Sequence, residues 1–267
     1  MRHLLLTLLL VAVGGPAASR DASMVGMQTA DDARGWDAVG KLMLGDRGFC
    51  TGTLIAPDLV LTAAHCLYDK ETGEKVRAED IQFYAGWRNG RAVAYRSVRT
   101  ATAHPDYVYD GNATLDRVSS DLALLKLNQP IRLPSLVPFE TGETPVEGDE
   151  VGVVSYAQDR SEVPSIQEEC QVLADGVETL ILSCSVDYGS SGAPVFAIKD
   201  GVARVVSVIS AKAEVEGQKV ALAVPLASAL PALRAALAES EAAVKSGVVG
   251  VRVLSGGQSG GAKFVKP

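Results

Sequence analysis

Phe49-Cys50-Thr51-Gly52-Thr53-Leu54-Ile55-Ala56-Pro57-Asp58-Leu59-Val60-Leu61-Thr62-Ala63-Ala64-His65-Cys66 is two short β-branched and apolar runs broken by turn residues. Runs of this length and composition read as strands. The same pattern extends outward, with candidate strands at 39–44, 49–55, 59–63, 81–85, 92–102 and 122–127. A bridge rich in proline (Pro130, Pro134, Pro138, Pro145) follows, and then runs at 150–156, 169–173, 179–184, 194–198, 203–210 and 219–224. Short strands at this spacing without alternating helices exclude a parallel α/β sheet. The expectation is an all-β chain of two six-stranded antiparallel β-barrels, at 36–134 and 135–225, with a C-terminal α-helix at 226–245. In that helix Leu226, Ala229, Leu230, Leu233 and Leu237 recur at helical spacing, so one face should pack on a barrel, with Pro231 in the first turn.

The ends read differently. Arg2 and His3 precede an apolar run to Val13 and then small residues, the layout of a secretory signal over 1–18 that is too short to span a bilayer. The expected location is therefore secreted or periplasmic, with no membrane contact once the signal is removed. Residues 19–35 show no hydrophobic period and read as a flexible segment, and 246–267 as a low-complexity, glycine-rich tail. At 267 residues with 47% hydrophobic content the chain can bury a sizeable core. A net charge of −7 with no basic stripe argues against a nucleic-acid partner.

Four cysteines in an exported chain point to two disulfides, for which three pairings are formally open. Local pairing, Cys50 with Cys66 and Cys170 with Cys184, is expected, each loop contributing about 3 kcal/mol in the chain-entropy model. With no CxxC pair and three histidines, neither a metal site nor a cofactor is expected.

Three stretches carry chemistry. His65 ends an apolar strand at a cysteine, after small alanines that leave its ring free to face a cleft. Gly189-Ser190-Ser191-Gly192-Ala193-Pro194 places glycines on either side of a serine, so a tight turn can direct its hydroxyl and amides to one point. Asp121 opens the apolar run Leu122-Ala123-Leu124-Leu125, where a carboxylate needs a partner and an imidazole N–H would serve. His104 sits in a turn with Pro105, and Asp106, Asp110 and Asp116 are loop acids. Asn112-Ala113-Thr114 fits a glycosylation acceptor.

Together these residues resemble the trypsin-like serine peptidase family. Thr62-Ala63-Ala64-His65-Cys66, Asp121-Leu122-Ala123-Leu124 and 189–194 match its three motifs in the family's order, supported by 49–55 and by His104-Pro105-Asp106-Tyr107. The resemblance implies Ser191 as nucleophile, His65 as base and then acid, Asp121 as orienting carboxylate, and the amides of Gly189 and Ser191 as oxyanion hole. It places Ser210 where a strand pairs with the substrate backbone, and Cys50–Cys66 as the histidine-loop disulfide. A peptide or protein is the implied substrate, cut by a monomer without a cofactor.

The departures are specific. Ser190 stands where the animal enzymes carry the Asp that binds a new N-terminus, and Gly35-Trp36-Asp37-Ala38-Val39-Gly40 replaces their Ile-Val-Gly-Gly start. Together with Ala193 these favour the bacterial members, including the glutamyl-endopeptidase-like group. Ser185 and Asp187 are the candidate substrate-pocket residues, and Ile209 stands where glutamyl-specific relatives carry His. The pocket reads as neutral or mildly acidic. A binding protein on the same fold is the competing reading, since fold does not fix function.

Overall fold

The structure, a computed structural model, describes residues 22–111, 115–176 and 178–248. The signal at 1–18, the acceptor at 112–114 and the tail beyond 248 lie outside the described residues.

Six strands close the first barrel in the order β2-β3-β4-β7-β6-β5. They are β2 (Val39–Leu44), β3 (Phe49–Ala56), β4 (Leu59–Thr62), β5 (Ile81–Ala85), β6 (Ala94–Ala103) and β7 (Ala123–Leu127). All neighbours are antiparallel, and the inward residues, among them Leu42, Leu54, Phe83 and Leu124, are fully buried. The second barrel uses β8 (Glu150–Ala157), β9 (Arg160–Asp175), β10 (Leu180–Leu182), β11 (Pro194–Lys199), β12 (Val202–Val215) and β13 (Gln218–Pro225). The order β8-β9-β10-β13-β12-β11 closes where β11 pairs antiparallel with β8. Its interior holds Val151, Val153, Val172, Leu182 and Val195 around the Cys170–Cys184 disulfide.

Three aromatic rings join the barrels. Trp36 from the N-terminal segment and Phe139 from the connecting stretch lie 4.9 and 4.7 Å from Phe196 of β11. Such pairs contribute beyond the area they bury. The core of the first barrel is continuous through them with Val154, Val205 and Val208 of the second.

The sequence and the structure differ in four places. β9 begins nine residues before the expected strand, because Pro164 and alternating polar residues obscure 160–168. Pro164 has no N–H for a ladder, but its carbonyl accepts the Met27 amide at 2.8 Å. That bond directly follows β1 (Val25–Gly26), which adds to the edge of β9 within the segment expected to be flexible. There Met27 is buried, and Thr29 and Asp32 exchange hydrogen bonds between side chain and amide. A five-residue helix, α1 (Leu115–Ser119), precedes Asp121; it is too short to give a periodic signal. Finally, α2 (Leu226–Val248) buries the expected stripe, but Pro231 is its sixth residue rather than in its first turn. Without an N–H it gives nothing to the carbonyl of Ala227, an exposed residue.

Candidate active site

β4 runs into a 3-10 turn, Ala64–Leu67, that carries both His65 and Cys66. Cys66 is bonded to Cys50 at the start of β3, so the turn is tied back to its own barrel. The only cluster of possible metal ligands among the described residues is Cys50, His65 and Cys66, whose two sulfurs are bonded to each other and offer no thiolate.

Asp121 lies between α1 and β7 with 1% of its surface exposed. His65 Nδ1 donates to its Oδ2 at 2.6 Å, and the His65 backbone amide donates to its Oδ1 at 2.7 Å. Ser210 Oγ donates to Oδ2 as well. Burial by itself would raise this carboxyl, but the facing His65 and the donated hydrogen bonds outweigh it and hold Asp121 below the usual carboxylate range. Asp121 therefore stays ionised at neutral pH and fixes the ring with its proton on Nδ1. His104 instead accepts the Asp106 amide through Nδ1 at 3.3 Å, and Asp110 lies 3.6 Å from Arg117.

Ser191 sits in the loop between β10 and β11, and it lines one cavity of about 470 Å³ together with His65. The loop is anchored at almost every peptide group. The carbonyls of Tyr188, Gly189 and Ser191 accept from Gln158 N, Thr51 Oγ1 and Thr51 N at 2.7, 2.8 and 2.8 Å. The amides of Ser190, Gly192 and Ala193 donate to Asp187, Ile209 and Ser190 carbonyls. Among the described residues, the amides of Gly189 and Ser191 donate to no protein group. Both belong to the stretch that lines the cleft.

Two glycines make this path possible, at φ +97° for Gly189 and +79° for Gly192. A Cβ on Gly192 would lie 2.1 Å from Thr62 Oγ1 and 2.3 Å from the Thr51 carbonyl. Gly192→Ala is expected to destabilise the fold by at least about 3 kcal/mol, combining left-handed strain with overpacking. That corresponds to a fall in Tm of roughly 10 °C, readable by calorimetry.

The remaining expected residues divide. Ser210 lines the cavity, as do Asp187 and Lys212, whose Nζ pairs with Asp187 Oδ1 at 2.8 Å. Lys212 also lies 3.9 Å from the centre of the Tyr188 ring. Ser185 is exposed, gives its amide to Gln167 Oε1 at 2.7 Å, and does not line the cavity. The lining carries Lys70, Arg117 and Lys212 against the single carboxylate Asp187, which corrects the reading of a neutral or mildly acidic pocket. Lys70, Tyr188 and Lys212 carried no signal in the sequence, since exposed lysines and a loop tyrosine are ordinary.

Two closed barrels, with a buried His–Asp pair and a glycine-flanked serine opening on one cleft, define the class of two-barrel proteins built around serine, histidine and aspartate. A family model of the trypsin-like peptidase domain matches residues 50–206, and the chain belongs to that family. It is similar to a tryptase of Mus musculus, 32% identical over 139 residues that cover 50% of this chain and 46% of the tryptase. It is also similar to a glutamyl endopeptidase of Bacillus licheniformis, 25% identical over 150 residues, 56% of this chain and 45% of that protein. The matches thus span less than half the length of these curated relatives. Among solved structures, a Glu endopeptidase in complex with MPD superposes with a TM-score of 0.66 at 18% identity, over 82% of this chain and 98% of the other. The thermostable serine protease AL20 from an extremophilic microorganism gives 0.58 at 17% identity, over 75% and 97%. At these identities the likeness is one of fold.

Proposed function

We propose that the chain is a secreted serine endopeptidase in which Ser191 attacks a peptide carbonyl, His65 takes its proton and Asp121 holds the imidazole. The acyl-enzyme forms as His65 returns the proton to the leaving amine, and water then releases the acyl group by the same route in reverse. The amides of Gly189 and Ser191 stabilise the oxyanion in both steps. Secretion rests on the signal-like 1–18, and the Cys50–Cys66 and Cys170–Cys184 bonds suit an oxidising compartment.

The observation that carries this reading is the His65–Asp121 hydrogen bond at 2.6 Å in the cleft that Ser191 lines. A histidine with Nδ1 bound to a buried carboxylate has Nε2 left as the basic nitrogen. The test is labelling of the purified mature protein with a fluorophosphonate, beside a Ser191→Ala control. One label per chain, absent from the control, is expected. A folded, disulfide-intact protein that takes no label would overturn the reading and favour a binding protein on the same fold.

A further inference from the structure

Among the described residues, the cavity that Ser191 and His65 line has one carboxylate, that of Asp187. In the cleft of a peptidase such a group would draw a lysine or arginine side chain of the substrate. It is already taken. Asp187 Oδ1 accepts from the Tyr188 backbone amide and from Lys212 Nζ, both at 2.8 Å. Lys212 comes from β12, two residues after Ser210, so the contact joins that strand to the serine loop across the cavity they both line.

The pair is held on several sides. Lys212 Nζ lies 3.9 Å from the centre of the Tyr188 ring, well within the range of a cation–π attraction. Tyr188 is 60% exposed, yet its carbonyl accepts the Gln158 amide at 2.7 Å, which fixes the backbone that carries the ring. The Asp187 carbonyl likewise accepts the Ser190 amide at 2.9 Å. Lys212, with the Tyr188 amide, holds the Asp187 carboxyl below the usual carboxylate range, and Asp187 holds the Lys212 ammonium above the usual lysine range. Both are therefore charged at neutral pH. Their side chains are each about half exposed, and an ion pair so placed adds little to stability. Its effect is on charge, because it cancels the one carboxylate of the lining. The other charged side chains there, Lys70 and Arg117, are cations, while Val186 and Ala211, which adjoin the pair in sequence, offer apolar surface.

We propose that Lys212 is a specificity-determining residue: by neutralising Asp187 it makes the cavity beside Ser191 a site for an uncharged substrate side chain and closes it to lysine and arginine. The inference rests on the serine-peptidase reading and names the substrate class of the same site. The discrimination is partly repulsive. A basic side chain would meet the Lys212 ammonium where it needs a carboxylate, and it would have to break a standing ion pair to reach Asp187.

The test measures kcat/KM of the full-length mature protein on peptides that differ only in the residue before the cut: glutamine, lysine or glutamate. The parent should cut after glutamine at least about 10-fold better than after lysine. Lys212→Met, which keeps the length of the side chain and loses its charge, leaves Asp187 unmasked and should raise the lysine-to-glutamine ratio about 10-fold. Asp187→Asn leaves Lys212 unmasked and should raise the glutamate-to-glutamine ratio by a similar factor. The double variant carries neither charge, and both ratios should return to within about 3-fold of the parent. That return separates charge from shape: a gain on lysine that persists without Asp187 would make Lys212 a steric bar and overturn the proposal. An unchanged ratio in Lys212→Met overturns it as well, and so does a parent that takes a fluorophosphonate but prefers lysine or refuses glutamine. A parent that takes no fluorophosphonate defeats the peptidase reading instead, so the two failures are distinguishable.

Discussion

Ser191→Ala and His65→Ala should each lower turnover by about 10⁴- to 10⁶-fold, and the double variant should lose little more than either. The reason is that, in the proposed mechanism, they serve one step. A serine hydroxyl is a weak nucleophile until a base takes its proton, so removing the base leaves the hydroxyl idle and removing the hydroxyl leaves the base without a task. What survives is the part neither side chain supplies: amides directed at the developing oxyanion and a cleft that orients the substrate. In the proposed mechanism the oxyanion donors are the amides of Gly189 and Ser191, whose loop is pinned by Thr51, Gln158 and Ile209 through bonds that neither substitution touches. The measurement is a double-mutant cycle on kcat with one peptide substrate, both singles being checked for an unchanged Tm. Losses that multiply in the double variant would mean that Ser191 and His65 act separately, and the mechanism would fail.

How much of this could be read from the chain depends on where the determining contacts lie. Eleven of the twelve barrel strands and the second half of β9 were legible because each has its own apolar or β-branched run and its own turn residues, so the signal is local. The helical stripe Leu226, Ala229, Leu230, Leu233, Leu237 was legible for the same reason, and all five are buried. His65, Asp121 and Ser191 stood out because each sits in a short stretch with an unusual demand: a ring at a cysteine, a carboxylate at an apolar strand, a serine between glycines. β1 and the first half of β9 were not legible. β1 is held by two pairings with β9, more than a hundred residues away, the first half of β9 pairs with β8 on its other edge, and neither stretch has a period of its own. Thr51 was hidden differently. It is one threonine among β-branched strand residues, and only the closure of two barrels brings it to Gly189. Lys212 was hidden likewise, since its pairing with Asp187 spans 25 positions and turns an acid read as available into one already occupied.

Asp121→Asn should lower kcat/KM by about 10⁴-fold while leaving the fold in place. The geometry dictates why an isosteric change is so costly. Oδ1 accepts from the His65 backbone amide, and Oδ2 accepts from His65 Nδ1 and Ser210 Oγ. All three neighbours are donors, which an ionised carboxylate satisfies and a carboxamide cannot. The backbone amide has no alternative role, so the carboxamide oxygen must take the Oδ1 place and its NH₂ the Oδ2 place. That NH₂ then donates to Nδ1, which has to become the unprotonated nitrogen of the ring, and the single proton moves to Nε2. A histidine protonated on Nε2 cannot receive the proton of Ser191, although every heavy atom remains where it was. Ser210 can rotate its hydroxyl and accept instead of donate, so the variant should keep its packing. Two readings decide the matter: kcat/KM near neutral pH, and the imidazole tautomer by ¹⁵N chemical shift. Loss of activity with the proton found on Nε2 is the expected result. A variant that kept the Nδ1 proton and still lost activity would show that Asp121 acts through its charge rather than by setting the tautomer, and one that kept its activity would remove Asp121 from the mechanism.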